Sequence, residues 1–203
     1  MATPAYSRLG VDERRRQLLE AGARVFTERA YDDVSMADVA RAAGISKGLL
    51  YHYFPSKRDL FVSTLEAAAA ELRELTQPDP SLPVPEQLTA ALDAYLGWID
   101  DHADSYTRLI ESASGSDDVR SYMAQVRADT VERMLATVVR SGDAAAVRTA
   151  LHGFLWFLDG ACLEWLGHRD LSRTQMRDML LTVFAGAVGA AVQAGPPVEL
   201  AFP

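Results

Sequence analysis

The segment SMADVARAAGISKGLLYHYF, residues 35–54, carries the strongest structural signal in this chain. Ser35 is a favourable N-cap residue, and Asp38 three positions later completes a Ser-x-x-Asp capping pattern. Gly44 suits the left-handed conformation that follows a helix end, and Ser46 is placed to cap a second helix. The segment therefore predicts two short helices joined by a tight turn.

A helix-turn-helix of this size places the N-terminal end of its second helix in the major groove of DNA. Lys47 can donate hydrogen bonds to guanine, and Gly48 lets the backbone approach the bases. Backbone amides at the two helix starts, with basic and aromatic side chains nearby, suit phosphate oxygens. The residues predicted to bind DNA are Ser35, Ser46, Lys47, Gly48, Leu49, Tyr51, His52 and Lys57.

This segment and its surroundings resemble the TetR family of bacterial transcriptional regulators. Gly22 and Ala30 depart from the family pattern, which usually has Ala and Gly at these two positions. The resemblance implies an all-helical homodimer, a ligand-binding C-terminal domain and repression that a small molecule relieves. It covers about a quarter of the chain and runs through residues 18–26, Tyr31, 35–40, 43–57 and 60–61.

Strand signals are nearly absent, whereas apolar residues recur throughout at three- and four-residue spacing. We predict an all-α protein, with a three-helix DNA-binding domain over residues 1–56 and a ligand-binding and dimerisation domain over residues 57–203. Residues 77–85 hold four prolines and predict a linker that is not helical. The predicted helices span about nine segments, at residues 11–29, 36–43, 47–53, 57–76, 86–101, 104–112, 117–140, 144–167 and 172–194.

Charge is divided unevenly along the chain of 203 residues, whose formal net charge is −8. Residues 1–60 hold ten basic and eight acidic residues, a balance of +2, and they include both lysines, Lys47 and Lys57. Residues 61–203 hold ten arginines and twenty acids, a balance of −10. This acidic remainder excludes a uniformly basic nucleic-acid coat and should discourage non-specific DNA binding.

The helix at residues 144–167 has almost no polar face, so it should be buried on all sides, against its own core and against a partner. The family resemblance places this helix and the last one in a four-helix dimer interface. A two-fold dimer would need a near-palindromic operator with half-sites about 34–36 Å apart. The predicted interface residues are Leu155, Leu158, Cys162, Leu166, Leu180, Val183, Ala187 and Ala191.

A ligand pocket is expected among the middle helices, because pockets are mostly apolar with a few polar anchors. Asp159 is an acid within an apolar helix and should not be buried unpaired. It could anchor a cationic or hydroxylated ligand, or pair with an arginine such as Arg127. The predicted lining residues are Tyr95, Trp98, Tyr106, Tyr122, Met123, Val126, Trp156 and Asp159; aromatic stripes of this kind also occur in plain cores.

Residues 44–48, Gly-Ile-Ser-Lys-Gly, also match the G-x-S-x-G nucleophile elbow of serine hydrolases. That elbow needs a strand before its serine, and the residues before Ser46 have a helical pattern, so we predict that the chain is not an enzyme. A DNA-binding regulator without an effector remains the second hypothesis.

No metal-ligand spacing, cofactor motif or signal peptide is found, and a single cysteine, Cys162, fits a reducing cytoplasm. The uncharged residues 179–198 lack aromatic anchors and a sustained Leu/Ile/Phe run, so they predict a buried helix and no membrane span. The expected partners are an operator DNA, a second copy of the chain and a small-molecule effector of unknown identity.

Overall fold

The computed structural model describes residues 10–112 and 117–202, apart from the side chains of Glu111, Ser112 and Asp118. Within these residues the chain forms nine α-helices, one 3₁₀ turn at Tyr31–Asp33 and two short strands. The predicted break at Gly115 and the first nine residues lie outside the described part. The helices are α1 Val11–Glu28, α2 Met36–Ala42, α3 Lys47–Tyr53, α4 Lys57–Leu75, α5 Val84–Asp101, α6 Ala103–Ser112, α7 Asp117–Val138, α8 Ala145–His168 and α9 Arg173–Ala194, and the strands are β1 Val139–Gly142 and β2 Val198–Leu200.

The chain divides into two compact units, one ending at Ala68 and the other beginning at Ala69. The division falls inside α4, whereas the predicted domains meet at the residue before α4. The all-α fold class predicted from the sequence is confirmed.

The first unit has an apolar core to which each of its helices contributes. Val39 and Leu50 are fully buried, as is Leu60 of α4. Gly22 of α1 allows α4 to come close, because a Cβ added there would lie 3.2 Å from Cγ2 of Thr64 and 3.3 Å from Cδ1 of Leu60. The departure from the family pattern at position 22 therefore coincides with a tight helix contact.

The second unit is organised around α8, which packs against α6, α7 and α9. Helix α5 packs against α6 and α9. Leu151 and Cys162 of α8 and Leu180 of α9 are fully buried in the shared core. No helix in the described ranges is both long and apolar enough to cross a bilayer, and this includes α9.

A small antiparallel sheet was missed by the sequence analysis, which extended the seventh helix to residue 140. Strand β1 pairs with β2 near the end of the chain, with Val139 opposite Leu200. Gly142 has φ +100°, and a Cβ there would lie 2.6 Å from the carbonyl oxygen of Pro197, so glycine is required at this position. Strands of three and four residues leave no periodic signal, which explains the wrong prediction.

The proline-rich linker is shorter than predicted. Helix α5 begins at Val84, with Pro85 in its first turn. A proline is tolerated there because the first N–H groups of a helix have no partner within the helix.

Candidate nucleic-acid interface

The capping pattern at the start of α2 is a complete capping box. The Ser35 Oγ accepts a hydrogen bond from the Asp38 backbone N–H at 3.3 Å, and the Asp38 carboxylate accepts one from the Ser35 N–H at 3.0 Å. Hydrogen bonds from Ser35, with the positive charge of Arg29 3.3 Å away, lower the pKa of Asp38 to about 2. The box fixes where the first helix of the pair begins.

The turn between α2 and α3 has the predicted backbone. Gly44 adopts φ +66°, the left-handed conformation expected at this position. The Ile45 N–H donates to the Ala40 carbonyl at 3.0 Å and closes the end of α2. Ser46 then accepts a hydrogen bond from the Leu49 N–H at 3.2 Å, which caps α3. The Gly44 conformation and the Ser46 cap are local features, which is why the sequence predicted them.

Helix α3 has one buried and one exposed face. Leu50 is fully buried, and so is Phe54, the residue that ends the helix. The opposite face presents Lys47, Gly48, Tyr51 and His52 to solvent, with the remaining predicted residue of this helix, Leu49, half-buried beside them.

The exposed side chains of α3 form a small basic and aromatic group. The Lys47 ammonium lies 5.7 Å from the centre of the Tyr51 ring, and His52 packs edge-on to Tyr53 at 5.6 Å between ring centres. A Cβ added to Gly48 would meet nothing within 4 Å, so the fold does not require glycine there. The surface therefore has free hydrogen-bond donors, an aromatic hydroxyl and a position without a side chain. These features suit contacts with the base edges and the phosphates of DNA.

Lys57 is held inside the unit in a way that the sequence did not predict. Its ammonium donates to the Tyr31 carbonyl at 2.9 Å and lies 4.3 Å from the centre of the Tyr31 ring. Tyr31 in turn packs against Phe61 at 4.7 Å between ring centres. Twenty-six residues separate the two partners, so no local pattern could reveal this contact. An ammonium has three N–H donors, and a phosphate contact is compatible with the one made to Tyr31.

The hydroxyls of Ser35 and Ser46 cap their own helices, so the phosphate contacts predicted at these two positions depend on the backbone amides of the helix starts. Two arginines of α1 also have partners within the unit. Arg16 pairs with Glu13 and Glu20, and Arg15 donates to Ser63 at 3.2 Å and lies over the Phe54 ring. The predicted residues that are both exposed and without such a role are those of the α3 face.

The hydrolase alternative is wrong. The residues before Ser46 form helix α2 and a turn, where a nucleophile elbow needs a strand. The Ser46 hydroxyl is used as a helix cap.

Two family models match the chain. One, described as "Bacterial regulatory proteins, tetR family", matches residues 18–64, and the other, described as "Tetracyclin repressor-like, C-terminal domain", matches residues 84–187. The chain belongs to the TetR family. The family resemblance found in its sequence is confirmed.

Individual relatives agree with this placement. A TetR-family transcriptional regulator from Streptomyces coelicolor superimposes with a TM-score of 0.77 at 27% identity, over 91% of this chain and 84% of that one. A TetR-like regulator from Rhodococcus sp. RHA1 superimposes with a TM-score of 0.66 at 25% identity, over 90% and 99% of the two chains. The transcriptional activator FasR of Mycolicibacterium smegmatis is 32% identical over 52% of this chain and only 49% of its own length. The alignment with the regulator HbdR of Aromatoleum sp., 26% identical, covers 71% of this chain and 64% of HbdR.

In the C-terminal unit of this TetR-family regulator, three of the predicted ligand residues meet in one polar cluster. The Tyr106 hydroxyl donates to Oδ1 of Asp159 at 3.1 Å and lies 3.4 Å from the Tyr95 hydroxyl. Arg127 donates to Oδ2 of Asp159 from Nε at 3.1 Å and Nη2 at 2.5 Å. The alternative in which Asp159 pairs with Arg127 is thus confirmed. We call Tyr95, Tyr106, Arg127 and Asp159 the polar cluster; it joins helices α5 to α8.

Burial affects the acidities in and around the polar cluster. It raises the pKa of both tyrosine hydroxyls above the usual value, so each stays protonated near neutral pH. Burial and the charge of Asp159 raise the pKa of the nearby Cys162 thiol to about 12. The thiol is therefore a neutral core group.

The other predicted ligand residues differ in position. Met123 is buried, Tyr122 and Val126 are half-buried, and Trp98 stacks on His102 at 4.4 Å between ring centres. Trp156 is 64% exposed and covers the Arg127 guanidinium, 4.0 Å from its ring centre. This ring lies at the surface of the unit, where sequence periodicity had suggested an interior position.

Most of the predicted dimer residues lie inside their own unit. Five of the eight, Leu155, Leu158, Cys162, Leu180 and Ala191, are buried in its core. The other three, Leu166, Val183 and Ala187, are half-buried. The sequence pointed to apolar helices but could not tell which face of each is covered by its own unit.

Proposed function

We propose that the chain acts as a homodimeric repressor that binds a near-palindromic operator through α3 and is released by a small-molecule effector. The observation that carries this proposal is the two-sided character of α3. Leu50 and Phe54 hold the helix on the unit, while Lys47, Gly48, Tyr51 and His52 are exposed together. A short helix that is fixed by its buried face and open on the other suits insertion into a major groove.

Dimerisation is supported by an uncovered apolar face on α8 and α9. Trp156 is 64% exposed, Phe157 41% and Met179 36%. Added Cβ atoms at Gly160 of α8 and Gly186 of α9 would meet nothing within 4 Å, so both helices leave room for close approach. We call Trp156, Phe157, Gly160, Met179 and Gly186 the α8–α9 face. Large exposed aromatic side chains next to small residues are typical of a surface that a partner covers.

Effector control is supported by the polar cluster in the C-terminal unit, where a few polar groups stand within an apolar core. Such an arrangement is typical of small-molecule sites. Release would require the effector to bind one conformation of the protein more tightly than the other. The relative FasR is named a transcriptional activator, so a reporter assay is needed to distinguish repression from activation.

Selection of bound fragments from chromosomal DNA tests the proposal. We expect near-palindromic sites whose half-sites lie one helical turn apart, as a two-fold dimer requires. A reporter placed behind a selected site should become more active when the regulator is deleted. Bound sites without two-fold symmetry would contradict the dimer, and a less active reporter would make the protein an activator.

The second hypothesis, a regulator without an effector, predicts the same sites. Unlike the proposal with an effector, it predicts that reporter activity stays constant when the cells are grown on different carbon sources or in the presence of different inhibitors. Constant activity across such a panel would favour it.

A further inference from the structure

The carboxylate of the polar cluster already has a cationic partner, which disfavours a second cation from a ligand. Oδ1 of Asp159 accepts from Tyr106, and Oδ2 accepts two hydrogen bonds from Arg127. The side chains of Arg127 and Asp159 are only 11% and 14% exposed, and their formal charges cancel. A ligand ammonium would compete with Arg127 for this carboxylate, and displacing Arg127 would leave a guanidinium without its counter-ion in a mostly buried place.

The groups that remain uncommitted around this carboxylate are donors. A guanidinium has five N–H groups, and two of those of Arg127 donate to Asp159, which leaves three. The indole Nε1 of Trp98 is buried, and in the described ranges it has no hydrogen-bond partner. Trp98 follows Tyr95 by three positions on α5, so the two side chains lie on the same side of the helix.

A buried donor without an acceptor is uncommon in native proteins, because it loses its hydrogen bonds to water and gains none in return. The contrast with Trp165 of α8 is direct, since its Nε1 donates to the Leu171 carbonyl at 2.8 Å. The C-terminal unit therefore lacks an acceptor at Trp98, three positions along α5 from Tyr95 of the polar cluster.

We infer that the effector presents hydrogen-bond acceptors, as a carboxylate or a carbonyl on an apolar body, and that Trp98 and Arg127 donate to it. This inference rests on the proposed function and adds the chemical class of the effector to it. It replaces the idea that Asp159 receives a cation; Asp159 orients Arg127.

The first test compares two conservative variants and needs no ligand. Trp98→Phe removes an unpaired donor and keeps an aromatic ring, so the melting temperature should stay the same or rise. Trp165→Phe removes a paired donor and leaves the Leu171 carbonyl without it, so the melting temperature should fall. An equal fall in both variants would mean that Trp98 already has a partner, and would overturn the inference.

The second test uses three probes of one shape, namely naphthalene-2-carboxylate, naphthalene-2-carboxamide and naphthalen-2-ylmethylammonium. We expect calorimetry on the full chain to show binding of the carboxylate or the amide and none of the ammonium. Trp98→Phe should weaken that binding about ten-fold, the effect of losing one good hydrogen bond, and Trp165→Phe should leave it unchanged.

Preferential binding of the ammonium, binding of no probe, or equal affinity in the wild type and Trp98→Phe would each overturn the inference. Selection of operator DNA separates this failure from failure of the proposed function. A chain that binds operator sites but none of the probes would remain a DNA-binding regulator and would lose only the proposed effector class.

Discussion

At the scale of single residues, the two lysines of the chain have different surroundings. Lys47 is exposed on α3, near Tyr51 only, whereas Lys57 is half-buried and its ammonium is held by the carbonyl and the ring of Tyr31. A charge-assisted hydrogen bond and a cation–π contact stabilise the folded state as well as placing the charge. Lys57 therefore contributes to the folding of the first unit, whatever it contributes to DNA binding.

Lys57→Met should lower the free energy of unfolding by about 1–3 kcal/mol, since the methionine keeps the apolar stem and loses the donor. Urea denaturation of the full chain measures this change. Lys47→Met is the matched control and should change the free energy by less than about 0.5 kcal/mol, as exposed substitutions do. Equal effects at the two positions would contradict the role assigned to the Tyr31 contact.

Gly22→Ala should destabilise the first unit, although alanine is the better helix former by about 1 kcal/mol. The new methyl group would press on Thr64 and Leu60, both buried, and overpacking in a core costs about 1–3 kcal/mol. Gly48→Ala is the control, because its site is open and the substitution should stabilise α3 slightly. A gain in stability at both positions, measured by urea denaturation, would show that α1 and α4 are not tightly packed.

At the scale of the helices and strands, local signals explain what could be predicted. Ser35 and Ser46 each accept a hydrogen bond from the backbone N–H three residues later, so the local sequence indicates where α2 and α3 begin. The β1–β2 pair joins segments about sixty residues apart and could not be found in this way. The Asp159–Arg127 pair was one of the alternatives that the sequence left open, because a buried acid needs a partner. The contact of Asp159 with Tyr106 depends on the packing of α6 on α8, which no local pattern indicates.

The capping box at α2 should make stability depend on pH in the acid range. The pKa of Asp38 is about 2 in the folded chain and about 3.9 in an unfolded one, so the folded state favours the charged form. This contribution is fully present above about pH 4 and is lost as the pH falls towards 2. Asp38→Asn should therefore melt below the wild type at pH 6, and the difference should shrink between pH 4 and pH 2. A difference that is constant over that range would contradict the assignment.

For the molecule as a whole, the proposed function depends on two exposed surfaces, the face of α3 that would contact DNA and the α8–α9 face that a second copy of the chain would cover. The sequence identified the exposed face of α3 because the helix has a clear period, with Leu50 and Phe54 inside. It did not identify the α8–α9 face, because helices that are apolar on all sides do not indicate which side their own unit covers. The same ambiguity placed Trp156 inside, where the structure shows it at the surface.

Phe157→Asp should convert the proposed dimer to a monomer without unfolding the chain. A charge in the middle of a closed apolar interface loses its water, whereas the exposed side chain of a monomer keeps it. Sedimentation at several concentrations measures the change. Leu75→Asp is the control, since Leu75 is also an exposed apolar residue, 51% exposed, and lies on α4. A wild type that sediments as a monomer, or a Phe157→Asp variant that still dimerises, would show that the α8–α9 face is not the interface.

We propose that the exposed face of α3 reads DNA, and the binding of a selected site by the Lys47→Ala variant tests this role. Fluorescence anisotropy would compare the affinity for the selected site with that for a scrambled duplex of the same length and at the same salt concentration. We predict that the ratio of the two affinities falls about ten-fold or more, because one base contact contributes about 1–3 kcal/mol of discrimination. An unchanged ratio in a folded Lys47→Ala variant would contradict the assignment of α3 as the reading helix.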